Sequence, residues 1–231
     1  MPLWFVFYFW TTSRAGYWQK PHTMPAASAQ GLFIACWIGY ILPTVAMYLP
    51  SLDADTRQVL VAIWQFSPLY VNLLMEVFAR FLPSSNVERP KEEFADPTYW
   101  IKCLHTSVVF TSTISHWILI FKCLFSGNPD ITFRNVLIPL GKDSFTMAEA
   151  LLFIFQVDFW LIMAAGLLWT YISIGDLFEL GMTNIDAATG GMLIFLVANV
   201  LGPGAAISLV CIWREDRMRA AALKKDEKKT S

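Results

Sequence analysis

A carboxylic acid interrupts the middle of an apolar run of the chain. Asp158 lies within residues 147–174, a stretch rich in Leu, Ile, Phe and Trp. An Asp at the centre of a membrane helix is unfavourable by roughly 2.5 to 3.5 kcal/mol on a translocon scale. The residues one helical turn away, Ile154, Phe155, Leu161 and Ile162, offer no partner. A carboxyl group surrounded by hydrocarbon keeps its proton, because the ion is desolvated. A neutral acid in such a place is a proton donor, and Asp158 is therefore the first candidate general acid. The plainer role is an interhelical hydrogen bond that only holds a bundle together.

Other polar residues fall inside apolar runs at helical spacing. Asn72, Glu76 and Arg80 are four apart and share one helix face. Glu76 is a second candidate acid with Asn72 beside it, or else the partner of a snorkelling Arg80. Ser112 and His116 each lie within about 20° of His105 on a 3.6-residue helix. Such a stripe faces a bundle interior, where His105 or His116 is a candidate base and Ser112 a pocket residue. Packing outweighs metal ligation there, since paired ligands on one helix are commonly four apart. Asn199 precedes the break Gly202-Pro203-Gly204, which either lines a cavity or is a plain kink. Trp64, Trp117 and Trp160 lie deep in apolar runs and are candidate walls for a cationic intermediate. Glu149 suits a structural position at a helix start, and Asp176 is either a plain loop acid or the rim of a pocket.

These residues require a scaffold of membrane helices. The 231 residues are 56% hydrophobic, mean hydropathy is +0.49, and only 15% are charged, against roughly 25% in soluble globular chains. The charges are bunched between apolar stretches near the ~20 residues that cross a bilayer. The pattern predicts an all-α, polytopic transmembrane bundle with five full spans, at 30–49, 59–82, 101–125, 147–174 and 190–213. A short apolar segment at 2–12 covers about half a hydrocarbon core. The transmembrane domain is expected over 1–213 and a basic tail over 214–231. That tail, rich in Arg and Lys, is expected on the cytosolic side. The acid-only connector 175–189 and the connector 83–100 are then expected in the lumen, although the latter holds Arg89 and Lys91. Lys228 and Lys229, fourth and third from the end, match a dilysine address for the endoplasmic reticulum. Cys36, Cys103, Cys123 and Cys211 have no metal-ligand spacing and read as buried free thiols.

The sequence also narrows the chemistry by what it lacks. It holds no Asp-Asp-x-x-Asp run for magnesium and a diphosphate, no phosphate-cradling glycine loop, no His-Glu-x-x-His and no Gly-x-Ser-x-Gly. No cofactor and no metal are expected. No basic patch marks a nucleic-acid binder. The expected partners are a small hydrophobic substrate and membrane lipid.

Three runs carry a resemblance. They are residues 1–13 (Met-Pro-Leu-Trp-Phe-Val-Phe-Tyr-Phe-Trp-Thr-Thr-Ser), residues 31–50 (Gly-Leu-Phe-Ile-Ala-Cys-Trp-Ile-Gly-Tyr-Ile-Leu-Pro-Thr-Val-Ala-Met-Tyr-Leu-Pro) and Trp64-Gln65-x-x-Pro68. Together they resemble the fungal membrane-bound terpene cyclases of meroterpenoid pathways such as ascofuranone and macrophorin biosynthesis. Members of that group look longer at the N-terminus, so segment 2–12 is expected to be the end of a span that starts upstream. The resemblance implies proton-initiated cyclisation of a prenylated or epoxy-prenylated precursor. It brings no catalytic motif that transfers to numbered residues, so Asp158 and Glu76 rest on the physics above. Two other classes stay open: a proton-coupled small-molecule carrier, which also uses intramembrane Asp and His, and a non-catalytic scaffold of the endoplasmic reticulum.

Overall fold

The computed structural model describes residues 24–49, 51–82, 96–141, 144 and 146–230. Segment 2–12 and most of connector 83–100, with Arg89 and Lys91, lie outside the described residues. All regular elements among the described residues are helices. In chain order they are α1 (Ala26–Met47), α2 (Ala54–Gln65), α3 (Ser67–Phe81), α4 (Pro97–Phe125), α5 (Phe133–Leu137), α6 (Met147–Glu179), α7 (Ala187–Leu201) and α8 (Pro203–Thr230). Three helices, Ala26–Met47, Pro97–Phe125 and Glu149–Glu179, are long and apolar enough to cross a membrane. The expected span 59–82 is instead the pair α2 and α3, bent by 68°, which makes a fourth span if counted as one. Two compact units divide at Leu104 and His105.

In the unit before that division, α1 packs along α3. Ala27, Gly31, Ala35 and Gly39 recur every fourth residue and are all buried. Such a small-residue face lets two backbones approach closely. A Cβ on Gly31 would stand 2.7 Å from the Met75 carbonyl oxygen and 3.1 Å from the Ala79 nitrogen. Midway, α1 widens into a π-helical turn over Trp37–Ile41, just before Pro43. Proline has no N–H for the carbonyl four residues back, which is that of Gly39. The Tyr70 hydroxyl of α3 donates to that oxygen instead. Beside it, Trp64 Nε1 donates to Thr44 Oγ1 at 2.9 Å, and the Thr44 hydroxyl donates to the Tyr40 carbonyl at 2.6 Å. The two donors Trp64 and Tyr70 flank the bend at Phe66.

In the unit after it, α6 is the spine on which α7 and α8 pack. Its start is closed by a capping box: Thr146 N donates to Glu149 Oε2 at 2.9 Å and Glu149 N to Thr146 Oγ1 at 3.4 Å. Its end is a left-handed turn at Gly181, φ +68°, with Met182 N donating to the Leu177 carbonyl at 2.9 Å. The expected last span, 190–213, does not cross as one helix. A straight helix would separate Gly190 from Trp213 by about 34 Å. Both line one cavity of about 160 Å³ together with Ile174, Ile194 and Ala206. The segment therefore folds back at Gly202 (φ +93°) into a hairpin of α7 and α8. This also corrects the expected sidedness. The acidic connector after α6 and the start of the basic tail after Trp213 lie at the same end of this unit, not at opposite ends. The tail itself continues α8 as helix to Thr230.

Two matching caps start α2 and α7. Thr56 N donates to Asp53 Oδ1 at 2.7 Å, and Thr189 N to Asp186 Oδ1 at 2.8 Å. Each threonine hydroxyl donates to the second carboxylate oxygen, at 2.9 Å and 3.1 Å. These bonds, the backbone ones foremost, hold both carboxyls below the ordinary carboxylate value. A lowered folded-state pKa adds stability above the unfolded value of about 3.9. That contribution fades as pH falls through the folded-state value. The protection of the Thr56 and Thr189 amides, relative to their intrinsic exchange rate at each pH, should therefore fall on acidification below about pH 4, and Asp186→Ala should remove that pH dependence of protection at Thr189 alone. Gly31→Ala should destabilise the α1–α3 contact by about 1–3 kcal/mol, read from thermal denaturation in detergent, with Gly141→Ala as a control that meets open space.

Candidate functional site

The polar stripe of α4 meets the tip of the α7–α8 hairpin. α7 ends at Leu201, and its last carbonyls have no donor within the helix. His116 Nε2 lies 3.1 Å from the Asn199 carbonyl oxygen. A carbonyl only accepts, so Nε2 carries the proton of this bond. Nδ1 is then the ring nitrogen left to act as a base in the neutral imidazole. The tip is closely fitted. A Cβ on Gly202 would stand 3.0 Å from His116 Cβ and 3.4 Å from its Nδ1, and one on Gly204 only 2.6 Å from Ser112 Oγ. Pro203 opens α8, where its missing N–H is not needed. Ser112, His116 and Asn199 are thus brought together, as the seven- and eleven-residue spacings along α4 suggested for the first two. The Asn199 side chain turns away to donate to the Phe195 carbonyl at 2.8 Å. Trp117 packs edge-on to the His116 ring at 6.3 Å and is 39% exposed. His105 is half-buried about 16 Å down the same helix, so the two histidines do not share a site.

A second polar cluster surrounds α5. This short helix starts at Thr132, whose Oγ1 accepts from Asn135 N at 3.2 Å. Its closing carbonyls receive donors from α6. Gln156 Nε2 donates to the Asn135 carbonyl at 2.7 Å and to that of Val136 at 3.1 Å. Trp160 Nε1 donates to the Leu137 carbonyl at 2.6 Å. Gln156 is 7% exposed. Asp158, between them in sequence, points the other way and is exposed, with no hydrogen bond or ion pair among the described residues. The interhelical hydrogen bond that was the plainer expectation for this acid is therefore not formed among the described residues.

Among the remaining candidates, Asn72 and Glu76 occupy an exposed face of α3. The Asn72 amide donates to the Pro68 carbonyl of its own helix at 2.7 Å. Glu76 and Arg80 make no ion pair among the described residues. Trp64 serves the interruption of α1. None of the candidate residues lines the 160 Å³ cavity, and a typical ligand site is about 300–1,000 Å³. Among the described residues no three His, Cys, Asp or Glu side chains are grouped to hold a metal. The four thiols are free and half-buried.

Two side chains the sequence reading passed over turn out to hold the scaffold. Gln156 had a visible signal, an amide in an apolar helix two residues before the acid. Tyr70 had an indirect one, the proline at 43 that leaves the Gly39 carbonyl without its usual donor. Removing the donor from such a carbonyl in apolar surroundings costs about 1–3 kcal/mol. His116→Ala should accordingly raise hydrogen exchange at Ala206, whose amide donates to the Gly202 carbonyl at 3.1 Å, by roughly ten- to a hundredfold. Trp117→Ala should leave that exchange within a few-fold of wild type.

The chain has no match among curated proteins or among solved structures. Residues 1–219 match the family model of the CtvD domain. The chain belongs to the CtvD family, a membership consistent with a part in meroterpenoid biosynthesis.

Proposed function

We propose that the chain is an integral-membrane cyclase that closes rings in a prenylated or epoxy-prenylated meroterpenoid precursor. The observation that carries this reading is the CtvD match over residues 1–219. The carboxyl groups of Asp158 and Glu76, both within apolar helices, support proton initiation. One of them donates a proton to the epoxide oxygen or to the terminal alkene. The π bonds of the chain then close on the electron-poor carbon, and aromatic side chains stabilise the cation by facing it with their rings. Loss of a proton to His116 Nδ1 ends the sequence. The proton delivered at the start is matched by the one removed, so the step is an isomerisation and needs no oxidant or metal. The residues assigned to the substrate are Trp117 and Ser112 on α4, with Trp160 and Asn199 holding elements of the same unit.

A second reading, a proton-coupled carrier, gains one observation. Carriers place interrupted helices at their binding sites, and here α2–α3 and α7–α8 are both interrupted. Membranes from cells making the linear precursor separate the two. A new cyclic product of unchanged mass for an isomerisation favours the cyclase. Accumulation or export of the unchanged precursor favours the carrier. Positioned general acids contribute about 10²–10⁴-fold, so Asp158→Asn or Glu76→Gln should lower cyclisation by that factor in membranes with normal protein content. Wild-type conversion by both variants rules out the two acids as initiators.

A further inference from the structure

The depth of Asp158 follows from length, charge and backbone accounting. α6 has 33 residues, about 50 Å of helix, whereas a hydrocarbon core is about 30 Å thick. Part of it lies outside the core. Residues 159–175 carry no charge and are bracketed by Asp158 and Asp176, about 27 Å apart along the axis. At the Asp176 end, Trp213 shares the cavity with Ile174 and Ile185, and the Arg217 guanidinium lies 5.7 Å over the Trp213 ring. A tryptophan with a cation beside it suits a headgroup boundary.

At the other end, Gln156 and Trp160 hold the closing carbonyls of α5 at the level of Asp158. Among the described residues nothing covers the connector there. Phe133 is 39% exposed, Ile138 48% and Leu140 39%, and Arg134 is exposed among them. Irregular backbone facing lipid does not occur within the hydrocarbon. At the interface the same composition is at home, with apolar side chains dipping into the acyl boundary and the cation meeting lipid phosphate.

We propose that Asp158 marks the membrane–water boundary, and that α5 with residues 138–140 lies on the bilayer against phospholipid headgroups. Residues 159–175 are then the part of α6 that crosses. This placement accounts for an acid that is exposed yet has no partner. If the cyclase reading also holds, the acid recovers its proton from interfacial water after each turnover. The reacting end of the precursor must then come to the boundary and not to the bilayer midplane.

The full chain in phosphatidylcholine nanodiscs, open to water on both faces, tests this. Alkylation by a charged, membrane-impermeant maleimide, mapped by peptide mass spectrometry, should label Asp158→Cys and Leu140→Cys within a few-fold of Ser144→Cys. Ala164→Cys, exposed on the same helix but within the crossing part, should react at least tenfold more slowly. A rate for Asp158→Cys as low as that of Ala164→Cys overturns the proposal. Wild-type protein gives an independent readout. A water-soluble carbodiimide with an amine should modify Asp158, and modification by a hydrophobic carbodiimide alone overturns the placement. Labelling at the boundary combined with full activity of Asp158→Asn removes the acid's catalytic role and leaves the boundary standing.

Discussion

Backbone carbonyls that lose their helical donor must find another in apolar surroundings, and the fold is arranged around that need. An unpaired peptide group away from water costs several kcal/mol by about the same measure as a lost hydrogen bond in hydrocarbon. This chain interrupts its helices repeatedly and supplies a side chain at the interruptions described. Tyr70 serves Gly39, whose usual donor is missing at Pro43. His116 serves Asn199 at the end of α7. Gln156 and Trp160 serve the end of α5. In each case the donor comes from a neighbouring helix, so the repair of a local defect also fixes a tertiary contact.

That economy changes how polar residues in apolar helices are understood here. Trp64 and Trp160 look like walls of a cation pocket when only type and position are known. Their indole N–H groups are committed to Thr44 and Leu137, and their rings are held in consequence. His116 is committed at one nitrogen, Nε2, which leaves Nδ1 as the acceptor of the neutral ring. Asp158 and Glu76 are committed to nothing among the described residues. An exposed carboxyl with no partner is a poor structural element and a reasonable reactive one, provided a medium beyond the protein sets its charge.

The α7–α8 hairpin is the largest departure from a simple chain of spans. Its hydropathy reads as one span, since the polar break is only three residues long. Gly202 in a left-handed, extended conformation reverses the chain there, and Gly204 lets α8 come against Ser112. Charge rules for sidedness assume that each apolar run crosses once. A run that returns on itself puts an acidic connector and a basic tail at the same end, and the rule then has no single answer.

Helical class, membrane-like composition, the helix starts at Asp53 and Asp186, and the shared face of Ser112 and His116 were determined by the sequence alone. The reason is that capping, hydropathy and angular spacing are local, acting within a turn or a single helix. The four-residue recurrence of Ala27, Gly31, Ala35 and Gly39 is equally local, and it permits a close helix contact without naming the partner. What α3 does against that face, which carbonyl His116 reaches, whether 190–213 crosses or returns, and which way Asp158 points were decided only by tertiary structure. Each depends on atoms far apart in sequence, or on one glycine torsion that residue type permits without requiring.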